Sequence, residues 1–393
     1  MQCKLMKRRI VYCTPSLYIA GGVERVLTTK ANYFAEVLGY EIYIILTDGK
    51  GKEPYYALSP KIKVIHLDIN FEELWHLSFL KKIPVYLKKQ RLFKRLLTKT
   101  LMDIKPDITV SLLRREINFI TSIKDGSKKV GEIHINRDNY RNFKTKGNNL
   151  FKRIFAYFWD KQLVCKLKNL DAFVVLTEDD KKKWRELNNV HVIPNPLPFY
   201  PEKYSNGKNH KVISVGRHSH EKGFDRLAKV WKIITETIPD WELHLYGGGD
   251  PLPLQKEIKT LGIENTFIIH EATNDILQKY CDSSIYLLTS RFEGFGMVIA
   301  ESMACGVPVI AFDCPYGPRN IIKNQCDGIL VENGNIEQFA KEVCHLMKEE
   351  ATRISMGEKA RKNIRRLNIE QIAQKWQDLF NKLPPSCPQE LHI

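Results

Sequence analysis

The sequence lacks several features that would fix its class at once. It has no run of 18 apolar residues, so it contains no candidate for a membrane-spanning helix. It has no G-x-G-x-x-G motif, the usual sign of a Rossmann dinucleotide site. Its nine cysteines include no C-x-x-C pair and no zinc-type spacing, and we expect reduced core thiols in a cytosolic protein. The first apolar run, from Ile10, is too short for a signal peptide and predicts a strand.

Positive charge is concentrated in one region. The 393-residue chain carries 61 Lys and Arg against 45 Asp and Glu, a net charge of +16. Residues 71–170 hold 23 Lys and Arg against 9 Asp and Glu, so this region alone contributes +14. Residues 74–97, and the segment FKRIFAYFWDK from residue 151, combine aromatic, branched and basic side chains at helical spacing. This pattern favours helices at an anionic membrane surface, although solvated helices packed on their own domain would look similar.

Short apolar runs alternate with amphipathic stretches, which predicts an α/β fold with parallel sheets and ligands at the carboxyl ends of the strands. The length suits two domains, at residues 1–196 and 211–366, with a linker at 197–210 and a helical tail at 367–393. Strands are predicted at residues 10–12, 41–46, 62–67, 108–112, 130–135, 171–176, 211–215, 241–246, 267–270, 285–288 and 309–312. Further helices are predicted at residues 337–347 and 368–380.

The string LLTSRFEGFGMVIAESMACGVPVIA, residues 287–311, reads as strand, turn, helix and strand. Gly294 and Gly296 keep side chains out of the turn, and the helix is expected to begin near Met297. The backbone amides of Phe295, Gly296, Met297 and Val298 can then point at a ligand at the positive end of the helix. The sequence therefore predicts a phosphate site here.

Two carboxylates and two cations accompany this predicted phosphate site. Glu293 and Glu301 can accept hydrogen bonds from sugar hydroxyls, or they can simply complement the helix dipole. In the earlier segment GRHSHEKGFDRL, Gly216 permits close backbone approach, and Arg217 and Lys222 bring two cations to one loop. Considered alone, Arg217 and Lys222 would be two ordinary solvated charges. If their loop faces a phosphate-binding helix, they can instead neutralise a leaving diphosphate without a metal ion.

These motifs resemble those of retaining GT-B glycosyltransferases, specifically family 4. The resemblance rests on the E-x7-E motif from Glu293 to Glu301 and on the G-R-x4-K-G loop that begins at Gly216. It implies an α/β fold of two Rossmann-like domains facing across a cleft, with a C-terminal helix that crosses back to the first domain. It also implies that Glu293 holds the donor sugar and Glu301 the ribose of a UDP- or GDP-sugar. Front-face attack is the implied chemical route.

The resemblance extends more loosely to the first domain. The string GGVER is similar to the family's glycine loop, which places Gly22 near the donor phosphate and makes Glu24 and Arg25 acceptor-side candidates. His134 looks like the family's cleft histidine, although Ile133 separates it from the glutamate that usually precedes it directly. A lone histidine is otherwise more often structural than catalytic.

The resulting expectation is a metal-independent hexosyltransferase without a cofactor, peripheral on the cytoplasmic face of an anionic membrane. Its expected partners are a nucleotide-sugar donor and a glycan or lipid-linked acceptor in polysaccharide or lipopolysaccharide biosynthesis. A nucleotide-sugar epimerase or phosphorylase could use the same fold. A basic nucleic-acid-binding protein would also explain the charge, but the sequence offers no aromatic platform or reading helix for one, so nucleic acid is not expected.

Overall fold

The computed structural model describes residues 7–140 and 150–383, with the backbone alone at residues 79, 80 and 150–156. The chain forms two compact units, Met1–Pro196 with Ile369–Ile393 and Leu197–Asn368. None of the helices in these described ranges is both long enough and apolar enough to cross a membrane.

The first unit contains a seven-stranded parallel sheet in the order β3-β2-β1-β4-β5-β6-β7. Its strands are β1 (Arg9–Thr14), β2 (Glu41–Leu46), β3 (Lys63–His66), β4 (Ile108–Ser111), β5 (Lys128–Glu132), β6 (Ala172–Val175) and β7 (Val190–Val192). Its first helices are α1 (Gly22–Glu36), α2 (Phe79–Ile104), α3 (Leu150–Lys168) and α4 (Glu178–Lys181). The hydroxyl of Thr177 accepts a hydrogen bond from the amide of Asp180 at 3.1 Å and caps α4.

The second unit contains a six-stranded parallel sheet in the order β10-β9-β8-β11-β12-β13. Its strands are β8 (Lys211–Val215), β9 (Glu242–Tyr246), β10 (Phe267–His270), β11 (Ile285–Leu288), β12 (Val309–Phe312) and β13 (Gly328–Val331). Its helices are α5 (Phe224–Thr237), α6 (Leu252–Leu261), α7 (Ile276–Cys281), α8 (Met297–Ala304), α9 (Pro318–Ile321), α10 (Ile336–Lys348) and α11 (Glu350–Ile364). Two parallel-sheet Rossmann-like units confirm the predicted fold class.

The last helix, α12 (Ile369–Lys382), belongs to the first unit although it follows the second in sequence. Its apolar face is buried through Trp376 and Phe380, and the Phe380 ring packs edge-on against Phe34 of α1, with 6.3 Å between centroids. The segment 197–210, where the sequence predicts a linker, is anchored to the second unit. There the Ser205 hydroxyl donates to the carbonyl of Ser283 at 2.5 Å.

Three local predictions are wrong. The helix predicted over residues 74–97 is a 3-10 helix, Phe71–His76, followed by α2, because Ser78 has an extended backbone at the junction. The strand predicted over residues 130–135 ends at Glu132. Cys165 and Cys326 are exposed and are not core thiols.

Candidate donor site

The central strands β8 and β11 of the second unit are neighbours, and the strand order reverses between them. In open α/β sheets this reversal leaves a crevice at the carboxyl ends, where ligands bind. The predicted site residues of this unit lie in the loops that leave these two strands and in the first two turns of α8, which follows β11. The fold therefore gives a physical reason for the position of the motifs.

The loops after β8 and β11 are in direct contact at Gly223. This residue has a φ of +66°, and a Cβ atom there would lie 2.2 Å from the carbonyl oxygen of Thr289. Arg291 joins the same loops, since its guanidinium pairs with both carboxylate oxygens of Asp225 at 2.8 and 2.6 Å. The hydrogen bond from Arg291 lowers the pKa of Asp225. The sequence gave no indication of this ion pair, because Arg291 and Asp225 are 66 residues apart.

Lys222 and Glu293 meet between these loops. The Lys222 ammonium donates to Oε1 of Glu293 at 2.8 Å, and the Ser290 hydroxyl donates to the same oxygen at 2.6 Å. Glu293 is buried and Lys222 is half-buried, so the pair is partly shielded from solvent. Arg217, on the same loop as Lys222, is exposed. The two predicted cations therefore differ, one held by a carboxylate and the other accessible to a ligand.

The turn between β11 and α8 has the form that an anion site requires. Gly296 adopts a φ of +91°, which is open to glycine and strained for other residues, and α8 begins at the next residue, Met297. The N–H groups of Met297 and Val298 are in the first turn and have no acceptor within the helix. Glu293 stands three residues before Gly296, while Gly294 and Phe295 complete the turn.

Glu301 lies deeper, on the second turn of α8. It is 4% exposed, and its Oε2 accepts a hydrogen bond from the Tyr280 hydroxyl of α7 at 3.2 Å. Burial raises the pKa of Tyr280 well above its usual value, so the phenol remains a donor. The sequence motif identified Glu301 but carried no sign of Tyr280 as its partner.

In the first unit, His134 lies just beyond the carboxyl end of β5, beside a buried ion pair. Lys30 of α1 donates to both carboxylate oxygens of Glu132, at 2.6 and 2.5 Å, and His134 Nε2 is 3.4 Å from Glu132 Oε1. Burial lowers the pKa of His134 to about 4; Lys30 also lowers it and Glu132 opposes the shift. His134 is therefore neutral at pH 7 and can both donate and accept a hydrogen bond.

The glycine loop of the first unit leads directly into α1, with Gly22 exposed at its first residue. Glu24 folds back over the loop, since a Cβ atom on Gly21 would lie 2.0 Å from its Oε2. The Arg25 guanidinium stands 5.6 Å from the centroid of the Tyr56 ring. Both acceptor-side candidates thus lie at the start of α1, Glu24 beside the glycine loop and Arg25 beside Tyr56.

Comparison with known proteins gives a family match over the second unit. Residues 199–363 match the family described as Glycosyl transferases group 1. These residues span almost the whole second unit, including both loops of the candidate donor site. Together with the two Rossmann-like units, this match supports a group 1 glycosyltransferase with the GT-B fold.

Individual relatives agree with this class. An uncharacterized glycosyltransferase of Haemophilus influenzae is 29% identical over 381 residues, which cover 95% of this chain and 100% of the relative. The amylovoran biosynthesis glycosyltransferase AmsD of Erwinia amylovora is 33% identical over 222 residues, 54% of this chain and 62% of the relative. The crystal structure of an S. aureus TarM mutant with fondaparinux, α-GlcNAc-glycerol and UDP has a TM-score of 0.77 and 18% identity, covering 95% of this chain and 100% of that one. The last likeness establishes the fold alone.

Proposed function

We propose that the chain is a retaining, metal-independent hexosyltransferase that transfers a sugar from a nucleoside diphosphate sugar to a glycan precursor. The observation that carries the proposal is the meeting of Lys222, Glu293 and the first turn of α8 at the strand-order reversal. Negative charge develops on the diphosphate as the glycosidic bond breaks, and Lys222, Arg217 and the helix amides can stabilise it. The UDP bound to TarM supports a uridine nucleotide as the donor, with GDP as the alternative.

The carboxylates have distinct roles in this proposal. Glu293 accepts hydrogen bonds from the donor sugar, and the deeper Glu301 accepts them from the ribose. Glu293 is engaged by Lys222, and Glu301 by Tyr280, so neither is placed as an unencumbered nucleophile. This favours front-face attack, which retains the configuration of the sugar. In this proposal neutral His134 orients the sugar or the acceptor, Gly22 binds near the donor phosphate, and Glu24 and Arg25 serve the acceptor.

A transfer assay tests the proposed function. The purified chain is incubated with UDP- and GDP-sugars and a lipid-linked glycan precursor, with and without a chelator, and nucleoside diphosphate release is followed together with product configuration. We expect acceptor-dependent release that survives the chelator, with the anomeric configuration kept. Loss of activity in the chelator and recovery with Mg²⁺ would contradict metal independence. Isomerised donor in the absence of acceptor would instead identify an epimerase.

Glu301→Ala is expected to weaken UDP binding, whereas Glu293→Ala is expected mainly to lower kcat. A hydrogen bond to ribose is kept in the ground state and the transition state, whereas sugar contacts tighten as the bond breaks. Loss of one hydrogen bond to a charged group corresponds to about a tenfold rise in Kd or more. Calorimetric titration with UDP measures this, with exposed Glu358→Ala as the control. Equal UDP affinity in both site variants would refute the assignment.

We also propose that the first unit attaches to an anionic membrane and meets a lipid-linked acceptor there. Several large apolar side chains of the predicted segments are exposed, among them Trp75 at 65% and Phe158 at 63%. A cavity of about 770 Å³ lies between α2 and the segment after β3, and its lining includes Lys88, Arg91 and Arg95. The aromatic and apolar residues of the two segments that we expect to enter the interface are Trp75, Leu77, Phe79, Phe155 and Phe158. Of these, Leu77 instead packs against the core of the unit. The side chains of Phe79 and Phe155 lie outside the described part of the chain.

The double variant R91E/R95E is expected to abolish most binding to anionic vesicles at low salt. Each basic residue near such a surface contributes about 1 kcal/mol, and salt weakens the attraction. Sedimentation with anionic and neutral vesicles at two salt concentrations measures both effects. The matched control is K256E/K259E, which makes the same charge change at exposed positions of the second unit. Equal binding to neutral and anionic vesicles would rule out the electrostatic attachment.

A further inference from the structure

The cavity between α2 and the segment after β3 (the α2 cavity) has a volume of about 770 Å³. Ligand sites in proteins usually have volumes of about 300–1,000 Å³. Lys89 of α2 joins the two walls, since its ammonium donates to the carbonyl oxygens of Ile69 and Asn70 at 2.6 and 2.9 Å. The same ammonium pairs with Glu73 at 2.9 Å. These bonds fix the spacing between the walls, so the cavity is preformed.

The acidic groups of the α2 cavity are already paired with cations. Asp68 pairs with Lys50 at 2.9 Å, and Glu73 pairs with Lys89. Three further basic side chains line the cavity, and none of them has an ion pair or a hydrogen bond with the side chains that the structure describes: Lys88, Arg91 and Arg95. Three positive charges in this cavity are therefore left without a counter-charge.

The three unpaired cations share one face of α2. Arg91 follows Lys88 by three positions and precedes Arg95 by four, and these spacings bring helical side chains together. Like charges at such spacings repel each other, and an anion bound between them removes the repulsion. The planar fork of donors on an arginine matches the oxygens of a phosphate group. Three cations suit a phosphate with two negative charges better than one with a single charge.

Apolar side chains line the same cavity, and they indicate what carries the phosphate. Ile69, Val85 and Leu92 stand beside the cations. Trp75, only two residues after Glu73 of the cavity wall, is exposed, and an exposed Trp is typical of the membrane interface. Apolar surface beside an anion site fits a lipid better than a free phosphate or a sugar phosphate, because only the lipid has apolar surface to bury.

We propose that the α2 cavity binds the phosphate group of a membrane lipid whose headgroup carries two negative charges. Arg91 and Arg95 hold the phosphate oxygens, Lys88 adds the third cation, and the apolar wall contacts the first methylenes of the lipid. A lipid held in this way fixes the orientation of the first unit at the surface, which a diffuse attraction of basic residues does not. The phosphate site stands without the proposed membrane attachment, whereas the lipid nature of its ligand rests on that attachment.

Calorimetric titration of the full chain with dihexanoyl phosphatidic acid, a short-chain lipid that dissolves as a monomer, tests the site. We expect saturable binding of one molecule per chain. R91Q/R95Q should bind it about tenfold more weakly or worse, because charge-assisted hydrogen bonds to the phosphate are lost. The matched control K94Q/K99Q makes the same charge change on α2, at exposed positions outside the lining, and should stay within about twofold of the wild type.

Two results of this titration would overturn the proposed site. The first is the absence of saturable binding, and the second is equal weakening by R91Q/R95Q and K94Q/K99Q, which would show that the attraction is diffuse. Glycerol 3-phosphate provides the comparison for the lipid. If it binds as tightly as dihexanoyl phosphatidic acid, the ligand is a soluble phosphate ester and the lipid assignment is wrong.

Vesicles of matched surface charge separate this site from the proposed membrane attachment. One set contains phosphatidylglycerol, and the other contains half as much phosphatidic acid, whose phosphomonoester carries about twice the charge. We expect more of the chain to sediment with the phosphatidic acid vesicles, and R91Q/R95Q to lose this preference. Equal sedimentation with both sets would overturn the cavity site and leave membrane attachment standing. Binding of dihexanoyl phosphatidic acid without sedimentation with either set would support the site and count against the attachment.

Discussion

Lys222→Ala is expected to lower kcat for sugar transfer about 100- to 1,000-fold, the usual effect of removing one preorganised group that stabilises transition-state charge. Lys222 is placed for this task because its ammonium lies 2.8 Å from Oε1 of Glu293, which stands four residues before the start of α8. The substitution also removes the cation that pairs with the buried Glu293. Steady-state kinetics with saturating donor measures the change.

The matched control for this experiment is Lys229→Ala. Lys229 is exposed on α5, outside the candidate site, and its removal changes the net charge equally. We expect its kcat to remain within a factor of two or so of the wild-type value, as for other surface substitutions away from special features. A Lys222→Ala enzyme with unchanged kcat would show that the diphosphate leaves without help from this residue.

Lys30→Met is expected to reduce the free energy of unfolding of the first unit by about 3–5 kcal/mol, because it leaves the Glu132 carboxylate buried without a cation. Lys30 is only 1% exposed, and its ammonium also stands 4.2 Å from the centroid of the Trp376 ring. Hydrogen exchange in β1 and β5 reports on this unit separately from the second.

Two further variants distinguish the cost of leaving the Glu132 carboxylate buried and unpaired from the cost of removing a lysine side chain. Lys30→Met combined with Glu132→Leu should recover most of the stability, since it removes both buried charges. Lys50→Met breaks an exposed ion pair with Asp68, 2.9 Å long, and should cost less than about 1 kcal/mol. Similar destabilisation by Lys50→Met and Lys30→Met would contradict the explanation.

The sequence predicts the α/β architecture well because buried parallel strands need continuous apolar runs. The segments at residues 285–288 and 309–312 match β11 and β12, since both strands are fully buried. The division of residues 74–97 could not be predicted, because the 3-10 helix has only 6 residues. Over so short a stretch its period of about 3.0 residues per turn is not distinguishable from the roughly 3.6 of an α-helix. The extended backbone at Leu77 and Ser78 separates the two helices.

At the candidate site, local motifs indicated the residues but not their long-range partners. The glycine and glutamate spacing around α8 is local, so it could be recognised without the fold. Tyr280 and Arg291 act through contacts to distant segments, which no local pattern encodes. The burial of Lys30 could have been recognised from the sequence, since Lys30 lies on the same helical face of α1 as the buried Val26 and Phe34. A charged residue on an apolar stripe indicates a buried partner, here Glu132.

The placement of α12 has a consequence for the order of events during synthesis. The ribosome completes residues 197–368, which form one continuous unit, before it makes the helix that finishes the first unit. Until then Phe34 and Lys30 lack their contacts with Phe380 and Trp376. Domains generally fold as units while the chain emerges. The second unit can therefore reach its native state first, and the nascent first unit exposes part of its core until the last helix arrives.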